Sequence, residues 1–148
     1  MKYSLFMSLF VLAGCANQDG DNWNRPAAYI VDEDKVTQSE APPHGAIGSS
    51  LAYRISDAAE DRTMEFRRRT LSPGSAVGVH PIGHDEVYYV LSGTGIVTSD
   101  GVDTPVGPGF AAYLYEGAEV GIRQTGEEPL DIIIAYPIPG HPRLESRR

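Results

Sequence analysis

The sequence predicts an all-β fold, a sandwich or a barrel, on three observations. Short runs rich in β-branched and aromatic residues recur with turn signals between them. Glycine and proline, 16 and 11 of 148 residues, punctuate those runs without reaching low-complexity levels. No stretch carries a helical apolar period long enough to stand alone.

The elements follow in chain order. Residues 28–31 are expected as an edge strand, and Ala41-Pro42-Pro43-His44-Gly45 as a loop whose histidine, like His141 near the end, lies at the surface. Residues 50–55 and 64–71 read as strands around a polar turn at 56–62, where five helix-friendly residues are too few to hold a helix. Ser72-Pro73-Gly74 ends the second of them, and a further turn is expected within 81–84. Strands at 86–91 and 94–99 flank Ser92-Gly93, and Asp100-Gly101 is the favoured pair for a two-residue hairpin turn. Strands at 102–106, 110–114, 119–124 and 130–136 complete the set, with Gly107-Pro108-Gly109 between the first two.

Composition narrows the function. A formal charge of −8 argues against nucleic acid, whose phosphates require a basic face. Hydrophobic residues at 41% suffice for one core, and the chain is too short for two ordinary domains. No apolar run reaches the roughly 18 residues of a spanning helix. A single cysteine, Cys15, excludes an internal disulfide and a cysteine-rich zinc site.

Residues 1–15 read as an address. Lys2 supplies a positive start, and residues 5–13 are apolar apart from Ser8, the proportions of a signal peptide. Leu12-Ala13-Gly14-Cys15 resembles the bacterial lipobox, which implies lipidation of Cys15 and membrane contact through the lipid anchor alone. Ala16 in place of aspartate points, by the same resemblance, to the outer membrane facing the periplasm. Residues 16–27 then form a tether, 28–140 the barrel and 141–148 a C-terminal tail.

Gly74, His80, Glu86 and Gly93 resemble the first motif of the cupins, with Asp85-Glu86-Val87-Tyr88-Tyr89-Val90-Leu91-Ser92-Gly93 its most typical stretch. Gly109, Tyr115, Gly117, Val120 and Gln124 match the second motif by spacing. The resemblance covers about residues 28–138 and implies a double-stranded β-helix, the jelly-roll-like cupin barrel, commonly a homodimer through an outer sheet face.

The resemblance also implies three histidines and a glutamate on a metal. His80 and Glu86 stand at two of those positions, but Ile82 and Val120 occupy the other histidine positions and have no lone pair to give. Tyr115 replaces the usual proline and Gln124 the usual asparagine. His84 is the one further donor, so a divalent metal at low occupancy on His80, Glu86 and His84 stands against no cofactor at all. An inward Glu86 then needs a cation. Leu71 should face the core, which puts Arg69 and Arg67 on the same side by strand parity, while Arg68 faces solvent. Arg69 is expected either to pair with Glu86 or to hold a ligand carboxylate, with His80 an alternative partner for Glu86. Tyr88 shares the parity of Glu86, and Tyr113 and Tyr115 share one parity, so all three are candidate pocket walls.

The ligand-binding set is thus His80, His84, Glu86, Tyr88, Arg67, Arg69, Tyr113 and Tyr115. The first reading is a lipid-anchored envelope protein that binds a small polar or anionic, carbohydrate-like metabolite. The alternative is an isomerase, epimerase or lyase on a sugar-type substrate, with His80 and Glu86 moving protons, with or without a divalent metal. A third is an oligomerising envelope protein without a ligand.

Overall fold

A computed structural model describes residues 27–141. The segment expected as a signal peptide ending at Cys15, most of the expected tether and the tail beyond His141 lie outside the described residues. Ten strands and one short 3₁₀ turn, Glu33–Lys35, make up the regular structure described. The strands are β1 (Thr37–Glu40), β2 (Ser50–Tyr53), β3 (Met64–Leu71), β4 (Ala76–Pro81) and β5 (Glu86–Ser92), then β6 (Thr94–Ser99), β7 (Val102–Val106), β8 (Ala111–Leu114), β9 (Glu119–Thr125) and β10 (Leu130–Pro137). Among the described residues no helix is long and apolar enough to cross a membrane.

Two antiparallel sheets face each other. One runs β1-β2-β3-β10-β5-β8 and the other β4-β9-β6-β7, so β10 sits between β3 and β5 although they are distant in sequence. Inward residues of both sheets form one core, including Leu71, Tyr88, Val90, Val120, Ile122, Leu130 and Ile132. This is the expected all-β jelly roll. The four glycines that carry the motif resemblance, Gly74, Gly93, Gly109 and Gly117, all have positive φ, between 75° and 90°. Their spacing therefore records turn geometry. Gln124, in the asparagine position of the second motif, is buried and works as a staple: its Oε1 accepts from Gly74 N–H at 2.7 Å, and its Nε2 donates to the carbonyls of Thr125, Gly126 and Glu128.

Three elements differ from expectation. Residues 28–31 form no strand, and Ile30 is 91% exposed. The edge strand is β1 instead, whose Thr-Gln-Ser-Glu sequence has no apolar residue to announce it and pairs only with β2. β4 is a strand that the turn signals on either side of it hid. Arg68 faces outward but is not merely solvated: it grips Asp131 through Nε and a terminal nitrogen at 2.6–3.0 Å, meets Glu33, and lies over the Tyr53 ring at 4.5 Å.

Candidate functional site

A cavity of about 260 Å³ opens between the sheets at one end of the barrel. Strand parity supplies two walls. On β3, Glu65, Arg67, Arg69 and Leu71 alternate with outward Phe66 and Arg68, which brings Arg67 and Arg69 to the cavity. On β5, Glu86 and Tyr88 face the cavity and Val90 continues into the core. β10 adds Ile134 and Tyr136 by the same alternation from Ile132.

The third wall needs a break in parity. Val77 and His80 both line the cavity although they are three positions apart, which in a regular strand would put them on opposite faces. A β-bulge resolves this: Val77 pairs with Ile122 and His80 with Val120, so β4 spends one more residue than β9 over that span. The chain then bends at Gly83 and His84 before β5, as expected for residues 81–84. His80, Ile82, His84 and Glu86 therefore reach the cavity from separate backbone segments instead of one continuous strand face.

The electrostatics differ from the expected pairing. Arg69 is 2% exposed and pairs with Glu40 and with the Ser50 hydroxyl, both at 2.6 Å, not with Glu86. Its Nε–H is buried without a hydrogen-bond partner. Arg67 bonds Glu65 at 2.9 Å, and Asp57 lies 3.9 Å away. Against the burial that would raise it, the Ser56 hydroxyl and Arg67 hold the Glu65 carboxyl below its usual range. The β1–β2 hairpin thus brings Glu40 to Arg69, and the 56–62 turn brings Asp57 near Arg67, acids that the parity of β3 could not place. Glu86, 6% exposed, makes no hydrogen bond or ion pair with a described residue, nor does His80 reach it. Burial pushes its carboxyl up to about 7, with the charge of Arg67 pulling the other way. Burial, reinforced by the charge of Glu86, also raises the Tyr88 hydroxyl.

Three imidazoles rim the opening. His80 Nδ1 lies 2.9 Å from the Gly78 carbonyl, which can only accept, so Nδ1 carries the proton and Nε2 is left for a ligand. His84 does the same toward Asp85 O at 3.2 Å and stacks on Tyr136 at 4.4 Å. His44 is exposed, as expected, yet it stacks face to face on His80 at 3.5 Å and 8°. Burial and the neighbouring His80 hold its pKa below the ordinary imidazole value.

Six of the expected binding residues, Arg67, Arg69, His80, His84, Glu86 and Tyr88, thus meet in one cavity. Tyr113 and Tyr115 do not line it; they are 55% and 71% exposed. Leu114 pairs with Glu86 across the β5–β8 ladder and takes the inward face, so its neighbours point out. Tyr113 instead donates to Asp85 at 2.6 Å. Sequence reasoning missed His44 and Tyr136. The second was legible from the alternation of β10, whereas the first depends on a contact between the β1–β2 loop and β4, far apart in sequence.

The metal set fails on its donors. Ile82 and Val120 are buried apolar residues of the core, and among the described residues no three His, Cys, Asp or Glu side chains are grouped to hold an ion. The four-ligand site of the resemblance does not fit these residues, and what the cavity can do follows from its own side chains.

Comparison with known proteins agrees with this fold. The family described as Cupin domain matches residues 67–136. The oxalate-binding protein of Thermotoga maritima is 33% identical over 85 residues, 56% of this chain and 70% of that protein. The crystal structure of a predicted oxalate decarboxylase from Thermotoga maritima superposes with a TM-score of 0.67 at 25% identity, over 74% of this chain and 99% of that one. A sugar phosphate isomerase of Silicibacter pomeroyi, from a cupin superfamily, shares the fold with a TM-score of 0.64 at 18% identity, over 74% of this chain and 76% of that one. With the two sheets, the motif glycines and a relative matched over more than two thirds of its length, the chain belongs to the cupin family.

Proposed function

We propose that the barrel cavity binds a small carboxylate-bearing metabolite, a short dicarboxylate or sugar acid, in a protein held at the outer membrane by lipid on Cys15. One observation carries the binding reading: Arg67 and Arg69 share the cavity with a carboxyl group, Glu86, that is largely neutral below pH 7. Arginine N–H groups suit a ligand carboxylate, and a protonated Glu86 donates to a second ligand oxygen. The Nε2 atoms of His80 and His84 offer a third contact, and Val77, Ile82 and Ile134 cover the carbon skeleton. The oxalate-binding relative supports a ligand of this class. The anchor rests on the lipobox alone.

The test is calorimetric titration at pH 6 with oxalate, malonate and glucuronate against neutral glucose. Binding of at least one acid with no heat from glucose is expected, and Arg67→Met should weaken that acid about tenfold. Equal binding of glucose, or an unaffected Arg67→Met, would refute the reading.

A second reading, proton transfer on a sugar-type substrate, is favoured by the same near-neutral Glu86 beside His80. It predicts exchange of a ligand C–H for deuterium in D₂O, abolished in Glu86→Gln. Binding without exchange assigns the cavity to binding alone.

A further inference from the structure

The loop between β1 and β2 crosses the opening of the cavity as a strap. Pro42 anchors it, being fully buried. From there the backbone takes positive φ at His44 (58°), Gly45 (134°), Ala46 (52°) and Gly48 (76°), a curl that two non-glycine residues adopt only because neighbours hold it. Those neighbours lie on β4 and the turn before it. Gly78 N–H donates to Pro43 O at 3.3 Å, Ala76 N–H to Ile47 O at 3.1 Å, and Ser49 N–H to Ser75 Oγ at 2.9 Å.

Gly78 joins the two halves of this arrangement. Its N–H receives the strap, while its carbonyl accepts from His80 Nδ1 at 2.9 Å and sets the orientation of that ring. A Cβ at this position would stand 1.5 Å from the His44 carbonyl oxygen, so only glycine lets the strap lie this close. The bulge that turns His80 inward spans the same residue. The outcome is the His44–His80 stack, with Pro43, at the rim of the cavity. Stacking covers one face of His80 and leaves its edge directed to a ligand.

We propose that His44 is a specificity-determining residue: the strap lays its ring on His80 to roof the cavity, so that short acids are gripped and longer ones are excluded. The proposal rests on the small-carboxylate reading and adds to it a residue that no cupin motif contains. The His44 side chain makes no hydrogen bond with a described residue, and its work is that of a flat wall.

The test uses the full chain, with oxalate, succinate and adipate as probes and two variants. In His44→Ala the roof is lost: oxalate should weaken about tenfold and the preference for oxalate over adipate should collapse. In His44→Phe the planar stack remains, and that preference should persist. A readout independent of any acid accompanies these: the rate at which diethyl pyrocarbonate modifies His80, followed by mass spectrometry, should rise several-fold in His44→Ala. An oxalate-to-adipate preference equal to that of the unaltered protein in His44→Ala overturns the specificity role even if His80 becomes more reactive. An unchanged His80 rate overturns the roof itself. If the unaltered protein binds none of the three acids, the small-carboxylate reading falls and takes the ligand contact with it, while the His80 rate still decides the roof.

Discussion

At the scale of single residues, two carboxylates of the barrel stand in opposite states. Glu40 is held below its usual range against the burial that would raise it, because Arg69 and Arg54 donate to it, whereas burial raises Glu86 to about 7 with only the charge of Arg67 opposing it. A carboxyl raised on folding binds its proton more tightly in the folded chain, so the stability it contributes is full below about pH 4.5 and is lost as pH rises toward 7. Glu86→Gln should remove that slope. Denaturant melts from pH 4 to 8 should show the variant gaining on the parent protein as pH rises; parallel curves would mean that Glu86 is solvated. The expectation that Arg69 serves Glu86 was wrong in its partner but right about burial. Arg69→Met should still cost about 1–3 kcal/mol, since Glu40 loses one of its two arginine partners and the Ser50 hydroxyl loses its donor, and chemical denaturation will measure it. A loss near zero would contradict the role of the Glu40 pair.

At the scale of elements, most of the architecture was legible. Alternation placed β3 and β5 with their inward sides correct, which is why Arg67, Arg69, Glu86 and Tyr88 were found. Alternation alone does not say which side is the core, and Tyr113 on β8 and Tyr115 just past it lie on the outer side, not the expected inner one; only the Glu86–Leu114 pairing settles it. A bulge is invisible to a period-two reading, so the route of β4 past Gly78 and its strap were beyond the sequence. Gly78→Val tests that element: backbone oxygen stands where the side chain would go, and the strap must lift. The variant should lose about 1–3 kcal/mol in thermal or chemical melts and expose His80 to modification as His44→Ala does. A variant as stable as the parent, with His80 still shielded, would show that the strap does not depend on this contact.

At the scale of the whole molecule, one face remains uncovered. Leu51, Met64, Phe66, Tyr89, Leu91 and Tyr113, all outward on the six-stranded sheet, are each about 40–55% exposed. The homodimer implied by the cupin resemblance would cover this face. Light scattering of the lipid-free domain should give twice the chain mass, and Phe66→Glu with Tyr89→Glu should give one. A monomeric parent protein would leave the patch to another partner. The anchor is tested separately: Cys15→Ser should move the protein out of the membrane fraction, and equal retention would refute lipidation.

The central claim is that this cupin holds its ligand with arginine, imidazole and a protonated carboxyl in place of the metal its family resemblance implies. The most direct measurement is calorimetric titration of chelator-stripped protein with oxalate at pH 6, repeated with added Mn²⁺. The account predicts binding without metal and the same affinity when Mn²⁺ is present, because Ile82 and Val120 cannot ligate it. Binding that appears only with Mn²⁺ would contradict it.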